Sequence, residues 1–139
     1  MVPEFGSVFG VVVVLFCLAY FTMASIPFLF VKLDVPEVWR LFRGLFGTYF
    51  LVITAAALVA TVSFVTAGAM GFAAAMLLLA GAAMAARIPV TQRMDAHRSA
   101  WESGDAAALR HLRGIHWAGM LLNTAILATV AASLPYLFR

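Results

Sequence analysis

Four long apolar runs, at about 8–30, 41–65, 70–88 and 115–138, carry no Asp, Glu, Lys or Arg in their interiors. Nothing else in the chain restricts its fold as strongly. A helix that crosses a bilayer needs about 20 predominantly apolar residues at about 1.5 Å rise each, and all four runs qualify, the third with least to spare. Strand-type alternation is absent. In lipid the backbone must satisfy its own hydrogen bonds, so the runs are helices. The chain is 65% hydrophobic and 11% charged, whereas a soluble domain is roughly a quarter charged; so few charges do not cover a water-facing surface. The expected fold is therefore all-α: a polytopic membrane four-helix bundle forming a single transmembrane domain over 1–139, with a helical hairpin at 89–113.

Basic residues are distributed one-sidedly. Lys32, Arg40 and Arg43 flank the first connection, and Arg87, Arg93, Arg98, Arg110 and Arg113 flank the third. The second connection, 66–69, has none; Arg139 is the exception. The positive-inside bias puts the first and third connections in the cytoplasm and both termini outside, N-out/C-out, in a plasma membrane such as the bacterial inner membrane. The start of the chain lacks a basic segment, with Glu4 its only early charge, and the run behind it is too long for a cleaved leader, so a retained span is expected.

Local signals refine the connections. Asp34, with Glu37 three residues on and Pro36 between, suggests a capping box opening the second helix near Val35, and Trp39 sits where interfacial aromatics are favoured. The third run is crowded with small residues, Ala80, Gly81 and Ala82 at its centre, and is expected to make the closest helix contacts. Beyond it, Pro89 is expected to kink the chain. Val90, Met94, His97 and Trp101 then repeat at helical spacing as one stripe, with Arg93, Asp95, Arg98 and Glu102 off it, and Ser103-Gly104-Asp105 marks a turn.

The two halves echo each other. Ile26-Pro27 is followed by Arg40-x-x-Arg43-Gly44, and Ile88-Pro89 by Arg110-x-x-Arg113-Gly114, at an offset of 62 residues for the prolines and 70 for the arginines. Each half runs in the same direction, so the bundle is expected to consist of two parallel-repeat helical hairpins about an axis along the membrane normal. The halves differ where Phe46 is matched by His116 and Ile53 by Asn123. His116 and Asn123 are seven residues apart and share a helix face, and an amide near mid-span must find a partner.

Pro27-Phe28-Leu29-Phe30, Ile88-Pro89, and His116 four residues after Leu112 and seven before Asn123 together carry a resemblance. The chain resembles an uncharacterised family of small four-helix integral membrane proteins, bacterial and related to eukaryotic drug-resistance-linked membrane proteins. More distantly it is similar to the copper-resistance-D-like superfamily, some members of which handle heme. Trp117 and Ala118 depart from the small polar residue expected beside the histidine. The resemblance implies a four-span bundle and raises heme as a possible cofactor.

Several side chains are candidates for a site. His116, Asn123 and Tyr49 are expected to line a polar groove near the cytoplasmic end of the fourth span, with Tyr20, Thr48, Thr54 and Thr61 as further interior polar groups. Arg40, Arg43, Arg110 and Arg113 either set topology or form an anion site for lipid phosphate or an anionic solute. His116 and His97 are the heme-ligand candidates; no other cofactor or metal site is expected, since metal signatures need more ligands. The single cysteine, Cys17, excludes an intrachain disulfide. Paired carboxylates, a nucleophile with a base and phosphate loops are all missing, so an enzyme is not expected, nor is a nucleic-acid partner. The leading expectation is a non-enzymatic membrane protein that binds or moves a small ligand. The alternatives are a structural accessory subunit of a larger membrane complex, or a homo-oligomer docking through the third span, and a heme-binding membrane protein or oxidoreductase.

Overall fold

The computed structural model describes residues 5–137. Glu4, the end of the fourth run at Phe138, and Arg139 lie outside the described residues. Four helices make up almost all of it: α1 (Phe5–Ser25), α2 (Pro36–Thr66), α3 (Met70–Glu102) and α4 (Ala108–Leu137), with a 3-10 turn at Ile26–Leu29 after α1. Each is long and apolar enough to cross a membrane. The protein is an all-α, multi-pass membrane bundle.

The helices pack in cyclic order, α1 against α2 and α4, and α3 against α2 and α4. Short connections impose this antiparallel neighbour arrangement. Between α2 and α3 the chain reverses within four residues: Gly68 takes φ of 72°, its N–H bonds the Val65 carbonyl, and Ala69 N–H bonds the Phe64 carbonyl. The same six-to-one closure ends α3, where Gly104 takes φ of 103° and Asp105 N–H reaches the Ala100 carbonyl at 2.9 Å. A left-handed residue satisfies the carbonyls left over at a helix end, and glycine adopts it without steric cost.

Apolar side chains form two layers. One joins Val14 and Leu18 of α1, Ile53, Ala60 and Phe64 of α2, Ala73 of α3 and Val130 of α4. The other lies at the end of the bundle bearing the α3–α4 hairpin and joins Phe21, Leu33, Phe42, Phe46, Met94 and Leu112. Between helices in lipid there is little hydrophobic drive, so shape and polar contacts hold them together.

Two local expectations are corrected, at the start of α2 and at Gly81. The capping box does not form: the residue before α2 is Val35, with no side-chain cap, and Pro36 occupies the first turn. The missing proline N–H is one of the four that a helix start leaves unpaired in any case. At the other Ile-Pro, α3 runs on through Pro89 to Glu102 as one arm of the expected helical hairpin, and the stripe beyond it has something to cover: Met94 is fully buried, and Val90, His97 and Trp101 are half-buried. α3 does pack most extensively, against α2, but not through Gly81. A Cβ built on Gly81 meets nothing within 4 Å, whereas one on Gly10 of α1 would lie 3.0 Å from the Ala60 Cα of α2. The small residues of α3 divide by face: Ala73, Ala80 and Ala83 are buried, and Ala74, Ala75, Gly81 and Ala85 are exposed.

Candidate functional site

Asn123 projects from the middle of α4 into the bundle and is 1% exposed. Its Nδ2 donates to the Leu18 carbonyl and to the Thr22 hydroxyl, both at 2.8 Å, and its Oδ1 accepts from the Tyr49 hydroxyl at 2.7 Å. Thr22 in turn donates to the Leu18 carbonyl at 3.2 Å. Both amide hydrogens and the amide oxygen are therefore used, and one side chain ties α1, α2 and α4 together. The Tyr49 ring lies on Phe21 with centroids 3.9 Å apart. Thr22 is the participant the sequence did not single out. Its place one turn beyond Leu18 is ordinary for a hydroxyl bonding its own helix, which is why it carried no signal.

His116, two turns nearer the hairpin on the same face, is 1% exposed. Its ring meets Phe28, Phe42 and Phe46 edge-on at 6.4, 5.1 and 6.3 Å, and the Ser25 carbonyl lies beside it. Nε2 has no hydrogen-bond partner among the described residues, and the buried Ser25 hydroxyl is in the same position. His97 does not approach it; His97 stacks instead on His111, centroids 4.9 Å apart, across the α3–α4 hairpin. Among the described residues no group of three or more His, Cys, Asp or Glu is placed to hold a metal ion.

The four arginines engage different partners. Arg43 makes a two-point ion pair with Asp95 of α3, at 2.8 and 3.1 Å. Arg113 donates to the Leu29 and Val31 carbonyls at 3.2 and 3.0 Å. Arg98, placed off the stripe by spacing, does the same for the Leu33 and Asp34 carbonyls while lying over Trp39 and bonding Glu102. The non-helical linker after α1 cannot pair its own carbonyls, so guanidinium groups from α3 and α4 bind them. Arg40 and Arg110 are exposed and have no hydrogen bond or ion pair among the described residues. Arg40 borders a groove of about 440 Å³ between α1 and α2 that also contains Cys17, Tyr20, Thr48 and Tyr49. Thr54 and Thr61 bond the Phe50 and Ala57 carbonyls of their own helix.

The open volume lies beside this polar pair rather than around it. A crevice of about 380 Å³ separates α4 from α3, with α2 as its back wall. Ala82 and Ala86 of α3 face Ala118 and Gly119 of α4 across it, Phe46, Tyr49 and Ile53 form the back, and Arg93 stands at its hairpin end. Side chains this short cannot close the gap between two helices. The volume falls in the range of small-molecule pockets, and its lining is almost wholly apolar. Sequence reasoning located Tyr49 and Asn123 at its wall but missed the crevice itself, because a void is a property of two helices together. Comparison with family models, with curated proteins and with solved structures gave no match for this chain.

Proposed function

We propose that this is a non-enzymatic, multi-pass protein of a plasma membrane, such as a bacterial inner membrane, that holds an apolar or amphipathic small molecule in the crevice between α3 and α4. In this reading the hairpin end is cytoplasmic and the two halves are parallel repeats. The burial of Phe46 and His116 against each other, and of Ile53 and Asn123, supports equivalent inward positions. One observation carries the reading. The roughly 380 Å³ gap runs along the membrane-crossing part of two helices, walled by alanine and glycine where larger apolar side chains would have filled it. A polar solute gains little there, since Tyr49 and Asn123 spend their hydrogen bonds on each other and on α1. The test is amphiphile-dependent thermal stabilisation of the detergent-solubilised protein. Adding a lysolipid should raise the unfolding temperature of the wild type and of Leu78→Phe, whose side chain faces outward, but not of Ala86→Phe, which fills the crevice. Equal stabilisation of Ala86→Phe would overturn the reading.

A further inference from the structure

We propose that the occupant of the crevice is a single acidic lipid of the bilayer, its acyl chain lying between α3 and α4 and its anionic head group on Arg93. This rests on the crevice reading above and adds the chemical class and orientation of the ligand. The crevice extends along α3 from Leu79 to Arg93, about 21 Å at 1.5 Å per residue. That exceeds the depth of one leaflet, about 15 Å of a hydrocarbon core of roughly 30 Å. Ala82 and Ala118 at its rim remain exposed, so the opening is sideways, toward lipid.

Polarity decides which way round an amphiphile lies. At the deep part of the crevice the Tyr49 hydroxyl and the Asn123 amide are already paired, so nothing there receives a head group. At the hairpin end Arg93 is exposed and has no hydrogen bond or ion pair among the described residues. Its neighbours in charge are committed: Asp95 to Arg43, Glu102 to Arg98 and Asp105 to the Ala107 N–H. Among the described residues no acid is paired with Arg93. One turn further along the same two helix faces, four residues after Arg93 and four before Ile115, His97 and His111 stack together. Their ring nitrogens bring further polar groups to the hairpin end of the same two helices. A phosphate suits this combination of a planar cation and further polar groups. Arg43, Arg98 and Arg113 hold the fold together, which leaves Arg93 as the arginine placed to meet a ligand at this crevice.

The experiment is native mass spectrometry of the full chain released from bilayers of equimolar phosphatidylglycerol and phosphatidylcholine with identical acyl chains. The wild type should retain phosphatidylglycerol over phosphatidylcholine by roughly fivefold, the effect of one arginine near a lipid surface. Arg93→Gln should retain both lipids equally, while Lys32→Gln, which removes an exposed charge from the linker, should keep the preference. Ala86→Phe should lose both lipids, with Ala82→Phe from the same wall as the second variant if the first folds poorly. No preference in the wild type, or a preference that survives Arg93→Gln, overturns the acidic-lipid inference and leaves the crevice reading standing. Undiminished retention of both lipids in the folded crevice-filling variants, or a wild type released as a lipid-free dimer, overturns both.

Discussion

The Tyr49 hydroxyl donates to the Asn123 carboxamide oxygen at 2.7 Å, across 74 positions of sequence and between helices that are diagonal in the bundle. The same carboxamide reaches α1 through its nitrogen. Three helices that would otherwise slide on one another are thereby held in one register.

Tyr49→Phe removes one of these bonds and leaves the amide's other two intact. Interhelical hydrogen bonds in membranes average about 0.6 kcal/mol and reach about 1.7 kcal/mol, so a loss in that range is expected. Asn123→Leu strips all three and strands the Tyr49 hydroxyl, at an expected cost of about 1–3 kcal/mol. Reversible unfolding in mixed micelles should therefore show the Asn123 variant as the weaker. In a double variant the Tyr49 change should add less than it does alone. Strict additivity would mean the two side chains do not interact.

Gly10 and Gly81 form a matched pair of opposites. Gly10→Ala drives a methyl to 3.0 Å from the Ala60 Cα, and overpacking of this kind costs about 1–3 kcal/mol. Gly81→Ala enters open space and gains up to about 1 kcal/mol of helix propensity. Melting temperatures of the two variants should move in opposite directions; a Gly81 variant that destabilises as much as Gly10→Ala would place a close contact at Gly81 after all.

The linker arginines should matter more than the surface ion pair. Arg113→Leu releases two carbonyls of the chain after α1, and hydrogen bonds to charged groups contribute about 1.5–3 kcal/mol each. Asp95→Asn weakens an exposed pair, worth about 1 kcal/mol at most. Hydrogen exchange at residues 29–34 should accelerate strongly in Arg113→Leu and hardly at all in Asp95→Asn.

His116 sits inside three phenylalanine rings, one of them Phe46 of α2. His116→Phe is expected to keep the fold, with a change below about 1.5 kcal/mol, since the buried Nε2 has no partner among the described residues and the ring gives up only its contact with the Ser25 carbonyl. Circular dichroism melts would check this. A collapse of the fold would show that the imidazole nitrogen carries a contact of its own.

For orientation, Ser99 is exposed on the α3–α4 hairpin. In a Cys17→Ser background, Ser99→Cys should resist a membrane-impermeant thiol reagent applied to intact cells and react after lysis. Labelling from outside would reverse the orientation.

Much of this architecture was legible from the chain alone, for a physical reason. Lipid admits few backbone solutions, so uninterrupted apolar runs such as 8–30 determine helices without knowledge of their neighbours. Gly68 and Gly104 likewise announce their turns locally. That Asn123 needed a partner also followed from its depth. Which partner it took did not: Thr22 and the Leu18 carbonyl lie on a helix about 100 residues away, and only packing selects them. The same holds for the arginines. Spacing grouped Arg40, Arg43, Arg110 and Arg113 by their echo, but the fold assigned Arg43 to an acid and Arg113 to bare carbonyls, and aligned Arg93, which the echo passed over, with the crevice. His111 met His97 rather than standing apart because two helices joined at Gly104 bring their facing turns together. Composition and periodicity act along one helix and so determined the spans. Contacts, voids and unpaired charges arise between helices, and the tertiary structure alone decided them.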